Sequence, residues 1–199
     1  MALPRQQVAD GLLRELDTFE QLIRSLSGEQ WNTTSRCSGW TVGDIARHVV
    51  GTMADVAAGN TDGLGTPEMT AREVNERAGR SPAEIGDECA EVTKAAAGLL
   101  PMFDDAAWAG AAPGGYEGSL GDGVEALWYD AWLHADDIRS SLGLASVPEP
   151  GLDGGVSHVT FELAKRGWTG DVPAEAFTFV LEATGRAPGD GTVPNIYAE

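Results

Sequence analysis

The sequence predicts an all-α protein, an antiparallel four-helix bundle with additional short helices at its C-terminal end. Three observations carry that expectation. Four long segments repeat apolar residues at helical spacing, two of them open on capping boxes, and Gly- or Pro-rich stretches separate them. With 199 residues, the chain is long enough to bury a core of its own. It divides into a bundle over residues 1–145 and a helical extension over 146–199 packed on it.

The first helix is read over about residues 5–26, from Leu12, Leu16, Phe19, Ile23 and Leu26, spaced alternately by four and three. The next long helix, over 42–58, begins at Thr41 with Asp44 three residues on, so each can satisfy the other's free N–H. Trp40 and Ile45 occupy the staple positions around that cap. Its buried stripe is Val42, Ile45, Val49, Met53 and Val56, with His48 beside Ile45. Thr66-Pro67 opens a short helix, since proline suits the first helical position. Ser81-Pro82-Ala83-Glu84 starts the third long helix, whose apolar face is read through Ile85, Cys89, Val92, Ala96, Leu99 and Phe103. The Gly-rich stretch 110–123 is a loop; it has neither the lysine of a P-loop nor a strand before it.

The fourth long helix covers about 120–142 and stops at Gly143. Its stripe is Leu120, Val124, Leu127, Ala131, Ile138 and Leu142. Residues 152–166 favour a helix through Val156, Val159 and Leu163. Another helix is expected after Asp171, with Phe177, Val180, Leu181 and Thr184 on one face, although Phe177-Thr-Phe-Val also permits a strand. The last fourteen residues read as loop.

A net charge of -18 repels phosphate backbones and acidic membranes, so neither nucleic acid nor membrane is expected as a partner. No signal peptide or run of membrane-spanning length is visible. Two cysteines, Cys37 and Cys89, give no disulfide framework. A cytoplasmic protein acting on a small molecule is the expectation.

There are only three histidines, and two lie on apolar stripes. Asp130 and His134 are four apart, about 400° around a helix, so both leave the same face one turn apart. Joined by His48 from a facing helix, they would form a three-ligand site with one position open, the arrangement of a catalytic zinc. An unpaired Asp130 inside the stripe would carry a large desolvation cost, which a cation removes. Asp137 is the candidate acceptor that orients a ligand imidazole; the alternative is an exposed charge beside Asp136. His158 has no carboxylate at ligand spacing and reads as a hydrogen-bonded core residue. Cys37 reads as a small residue packing the turn before Trp40 rather than a nucleophile. Trp128 and Trp132 read first as core, with a pocket as the alternative, and Arg72 and Asn75 as residues that can reach the cleft.

The stretch Cys37-Ser-Gly-Trp40-Thr41-Val-Gly-Asp44-Ile-Ala-Arg-His48, with the later Asp130-x-x-x-His134-x-x-Asp137, resembles the DinB-like metalloenzyme superfamily. The nearest likeness is the mycothiol-dependent maleylpyruvate isomerase N-terminal domain family, over about residues 5–145. Asp130 stands where that family usually has Glu, and its shorter arm demands a closer backbone. The resemblance implies a divalent metal, zinc first with nickel and iron as alternatives, held by His48, Asp130 and His134. It also implies mycothiol as cosubstrate, its thiolate attacking a small electrophile in S-transfer or cis–trans isomerisation. Two other readings stay open: a metallohydrolase using metal-bound water, and a non-catalytic metal- or ligand-binding bundle. The 13 Lys and Arg residues are scattered, with no basic cluster for the sugar or carboxylate of such a thiol. Nor is there a sign of the larger second domain of full-length maleylpyruvate isomerases.

Overall fold

Reciprocal caps fix where the helices begin. In the computed structural model, which describes residues 3–198, Thr41 and Asp44, Ser81 and Glu84, and Ser119 and Asp122 each exchange side-chain bonds with the other's backbone N–H. The helices are α1 (Arg5–Ser25), α2 (Gly28–Trp31), α3 (Val42–Ala58), α4 (Pro67–Glu76), α5 (Pro82–Leu99), α6 (Asp105–Ala109), α7 (Leu120–Ser141), α8 (Leu152–Lys165) and α9 (Ala176–Ala183). Among the described residues there is no strand, only isolated bridges at Thr34–Thr41 and Ala111–Ser119. None of the described helices is long and apolar enough to cross a membrane.

Helices α1, α3, α5 and α7 form the bundle, α1 and α3 each packing against both α5 and α7. Arg24, near the end of α1, bonds Asp87 at the start of α5, while Arg5 reaches the carbonyl of Phe103 just past its end, so these two run antiparallel. α3 and α7 do the same. Arg36, before α3, bonds Asp136 and Asp137 late in α7, and Gly114, before α7, lies against Thr61, after α3. The core between them is Leu12, Leu16, Phe19, Ile23, Ile45, Val49, Ile85, Cys89 and Ile138, with their neighbours.

α7 carries a second apolar face, which explains why its pattern is less one-sided than that of α1. Tyr129, Trp132 and Leu133 meet Val159 and Leu163 of α8, Phe179 and Val180 of α9, and Ile196. Both tryptophans settle against glycine. A Cβ at Gly11 or Gly154 would come within 2.6 Å of the Trp128 ring, and one at Gly155 within 2.5 Å of Trp132. The small residues let α1 and α8 approach α7 closely enough to bury these rings, which are core and not pocket lining.

Several expectations are corrected. The stripe predicted to run on through Leu99 and Phe103 stops short. α5 ends at Leu99, which is 38% exposed, and Leu100 in the following 3-10 turn fills the core instead. Pro101 is the cause, since it lacks an N–H and its ring clashes with the preceding turn. The short helices α2 and α6 were not anticipated. Residues 176–183 are helical, not a strand, and Thr184 follows as the C-cap, its hydroxyl on the carbonyl of Val180. His158 makes no hydrogen bond among the described residues; it stacks on Tyr129 at 4.2 Å, and burial depresses its pKa to about 4.

Candidate metal centre

His48 occupies the second turn of α3 and faces α7, where Asp130 and His134 stand one turn apart. The His48 Nε2 lies 3.8 Å from Asp130 Oδ2, and the His134 Nε2 lies 3.5 Å from Asp130 Oδ1. One donor atom from each of the three residues falls within 4.8 Å of the others. Ligands held about 2.0–2.2 Å from one ion at the tetrahedral angle are themselves about 3.3–3.6 Å apart. The two observed separations are within a few tenths of an ångström of that range. Three donors capable of sharing an ion are therefore brought together.

The other ring nitrogens face away from this point, and each meets a carboxylate. His48 Nδ1 donates to Glu73 Oε2 at 2.8 Å, and Thr52 donates its hydroxyl to the same oxygen at 3.2 Å. His134 Nδ1 donates to Asp137 Oδ2 at 2.8 Å. In the neutral form of each imidazole, the one a bound cation would require, these carboxylates favour the tautomer with the proton on Nδ1, which leaves the Nε2 lone pair for the ion. Among the described residues neither Nε2 has a hydrogen-bond partner, and the Asp130 carboxylate accepts no hydrogen bond. These free donors, rather than their proximity alone, are what suits the site to a cation.

Asp137 is wholly buried and holds more than the histidine. Arg186, just past α9, donates to both its oxygens at 2.8 and 2.7 Å, and Arg36 donates to its Oδ1. These cations and His134 outweigh burial and hold its carboxyl far below the usual range. Burial raises Asp130 as well, but His134, His48 and Arg186 prevail and bring it down to about 2. In the absence of an ion, burial disfavours a charged His48, yet the Asp130 and Glu73 carboxylates push its pKa up to about 10. So many carboxylates around two imidazoles make a strongly cation-seeking centre.

Trp40 lies beside the centre, its ring centroid 5.3 Å from that of His48 and 6.3 Å from that of His134. The indole also forms one wall of a cavity of about 440 Å³ that runs to α4 and is lined in part by Asn75. Arg72 turns away to Asp55 and Glu76. Cys37 has no histidine beside it in sequence, but in space its thiol lies 3.4 Å from Asp137 Oδ2 and forms a second donor group with His134 and Asp137. Burial and then the Asp137 charge push that thiol up to about 12, so it is a poor nucleophile.

Glu73 and Arg186 escaped sequence reasoning. Glu73 has a faint signal: the one carboxylate on α4 facing the bundle, 1% exposed in a helix whose other acids are outside. Arg186 has none, because it lies in an irregular segment remote in sequence from Asp137.

The sequence profile of the mycothiol maleylpyruvate isomerase N-terminal domain matches residues 12–139, well over half of the chain and including all four of His48, Asp130, His134 and Asp137. The chain belongs to that family. Its fold is also that of two crystal structures of the mycothiol-dependent maleylpyruvate isomerase. One is superposed with a TM-score of 0.58 at 15% identity over 85% of this chain and 75% of that one. The other, a histidine-to-alanine mutant, gives 0.59 at 14% identity over the same shares. Among curated proteins nothing matches.

Proposed function

We propose that the protein is a divalent-metal-dependent enzyme that uses a low-molecular-weight thiol of the mycothiol kind to transfer sulfur to, or isomerise, a small electrophile. The observation that supports it is the pair of imidazoles whose Nδ1 atoms are each tied to a carboxylate, Glu73 and Asp137, so that both Nε2 atoms converge on Asp130. His48, Asp130 and His134 are the residues that would hold the ion, zinc first and nickel or iron as alternatives. Bound there, such an ion supplies a Lewis acid that lowers the pKa of a thiol or water to near neutrality. Membership of the family favours the thiol.

The chain's own contribution is orientation. Glu73 and Asp137 fix the two rings, Arg36 and Arg186 fix Asp137, and Trp40 packs beside the His48 ring. With Cys37 held as a thiol, the sulfur nucleophile comes from the cosubstrate. In an isomerisation, the thiolate sulfur bonds to one carbon of a cis alkene and the π pair moves toward the adjoining carbonyl group. Rotation about the new single bond follows. The S–C bond then breaks, its pair leaves with sulfur, and the displaced pair re-forms the alkene as trans. No proton or redox equivalent is consumed, and the thiol is returned.

The test is elemental analysis of purified protein followed by assay of electrophiles with and without thiol. About one transition-metal ion per chain and turnover that requires thiol are expected. Turnover indifferent to thiol would replace this reading with a hydrolase. A protein that takes up no metal would remove it.

A further inference from the structure

We infer that the cavity between α7 and α8 is a binding site for an organic amine, an ammonium group carried on an apolar body. It holds about 540 Å³, within the size range of small-molecule sites. Glu125, the most deeply buried residue of its described lining at 7% exposed, stands five residues before Asp130 on α7. Five residues turn a helix by about 140° beyond a full circle and advance it by about 7.5 Å. The cavity therefore lies apart from the candidate metal centre, and the inference does not depend on thiol transfer.

Glu125 lacks the partner that a buried carboxylate needs. Ser157 of α8 donates its hydroxyl to Oε2 at 3.0 Å. Among the described residues Oε1 accepts no hydrogen bond, and no basic side chain pairs with the group. Burial pushes its carboxyl up to about 7, against the Ser157 bond, which lowers it. A carboxylate buried without a cation is costly, and an ammonium entering beside it offsets that cost.

The other charged residues of the described lining, Asp122 and Asp153, are also carboxylates. Asp122 accepts from Ser119 in the cap of α7, and Asp153 from the Gln7 amide at 3.0 Å, so neutral donors leave both charges in place. Lys165, which lies over the Phe161 ring, is tied to Glu162 at 3.2 Å and to Glu117 at 3.5 Å. Such a site draws cations and repels anions. Leu3, Leu152, Val156 and Phe161 make much of the remaining wall, which suits hydrocarbon better than a hydrated ion. Among the described residues, the three carboxylates do not bring ligand atoms within 4.8 Å of one another, so they form no cage for a bare metal ion.

Phenylbutylamine and phenylbutanol share one body and differ in charge, and spermidine has charge without an apolar body. Binding of each to the metal-loaded protein is read by isothermal calorimetry and methyl chemical shifts at about pH 8, where Glu125 is ionised and the amine is protonated. The amine is expected to bind at least about tenfold more tightly than the alcohol, with shifts at Leu152 and Val156. Glu125→Gln keeps the volume and should bring the amine down to the affinity of the alcohol, whose own binding is unchanged. Ala164 is exposed at the cavity mouth, so Ala164→Arg places a cation there without touching the core and should weaken the amine alone. Equal affinity for amine and alcohol in the unaltered protein, or no binding of the amine, would overturn the inference. So would spermidine binding as tight as phenylbutylamine, amine binding undiminished in both variants, or shifts at Val49, beside His48, in place of those at Leu152 and Val156.

Discussion

Replacing Glu73 asks whether the carboxylate behind His48 governs the ion in front of it. Its Oε2 accepts from His48 Nδ1 at 2.8 Å and from Thr52 at 3.2 Å, and the residue is 1% exposed. Hydrogen bonds to a charged partner contribute about 1.5–3 kcal/mol. Carboxylates that orient a ligand imidazole change metal affinity about 10–100-fold, or about 1.4–2.7 kcal/mol. Glu73→Gln preserves volume, and its amide oxygen can still accept the Nδ1 proton, so only the charge is lost. That variant should bind zinc about tenfold more weakly. Glu73→Leu removes the acceptor, leaves Nδ1 with the Thr52 hydroxyl at 3.5 Å, and frees the ring to move its proton to Nε2, where it blocks the ligand lone pair. A loss of about 100-fold is expected there. Competition with a chromogenic chelator reads the affinity, and circular dichroism verifies the fold. If both folded variants bind zinc as tightly as the parent, the tautomer argument is wrong. If Gln is as damaging as Leu, charge rather than tautomer carries the effect.

Further outcomes follow from the same geometry. His48→Ala and His134→Ala should each remove the ion while His158→Ala retains it, by elemental analysis; Asp130→Ala should lose it, and Asp130→Glu, with the carboxylate the family usually carries, should keep it. Arg186→Leu leaves the buried Asp137 with Arg36 as its one arginine partner, and urea unfolding should report a loss of about 3 kcal/mol, the low end for breaking a buried pair. Glu15 is 5% exposed, and burial, opposed by Arg139, raises its pKa from 4.5 to about 7. The folded state thus holds this proton more tightly than the unfolded chain does. Its contribution is complete below pH 4.5 and is lost as pH rises to 7, by up to about 3 kcal/mol. Glu15→Gln should remove that part of the pH dependence of unfolding, and an unchanged profile would show the proton lies elsewhere.

Capping and apolar spacing made α1, α3 and α7 readable from sequence to within about a residue or two at each end, and α4 at its start, because both are local properties of the backbone. The limits of that reading are visible at Pro101, where a stripe was followed across a residue that ends helices, and at 176–183, where β-branched and aromatic residues left helix and strand open. Burial against α7 and α8 decided the second case. The close approach of α1 and α8 to Trp128 was not legible either, since Gly11 and Gly154 matter only once the two helices face the same ring.

At the candidate site, the sequence by itself determined that Asp130 and His134 leave one face of one helix, since a helix fixes residues four apart. It also marked His48 as a polar residue on an apolar stripe, and the motif around it tied the two segments to one family. Only the tertiary structure decided that α3 faces α7, bringing His48 to the other two. It alone supplied Glu73 from α4 and Arg186 from beyond α9, and it turned Arg36 and Arg186 inward onto Asp137. The reason is physical: helical periodicity fixes directions within one element, whereas contacts across many residues depend on how the elements pack. The orienting carboxylates and their arginines are contacts of that second kind.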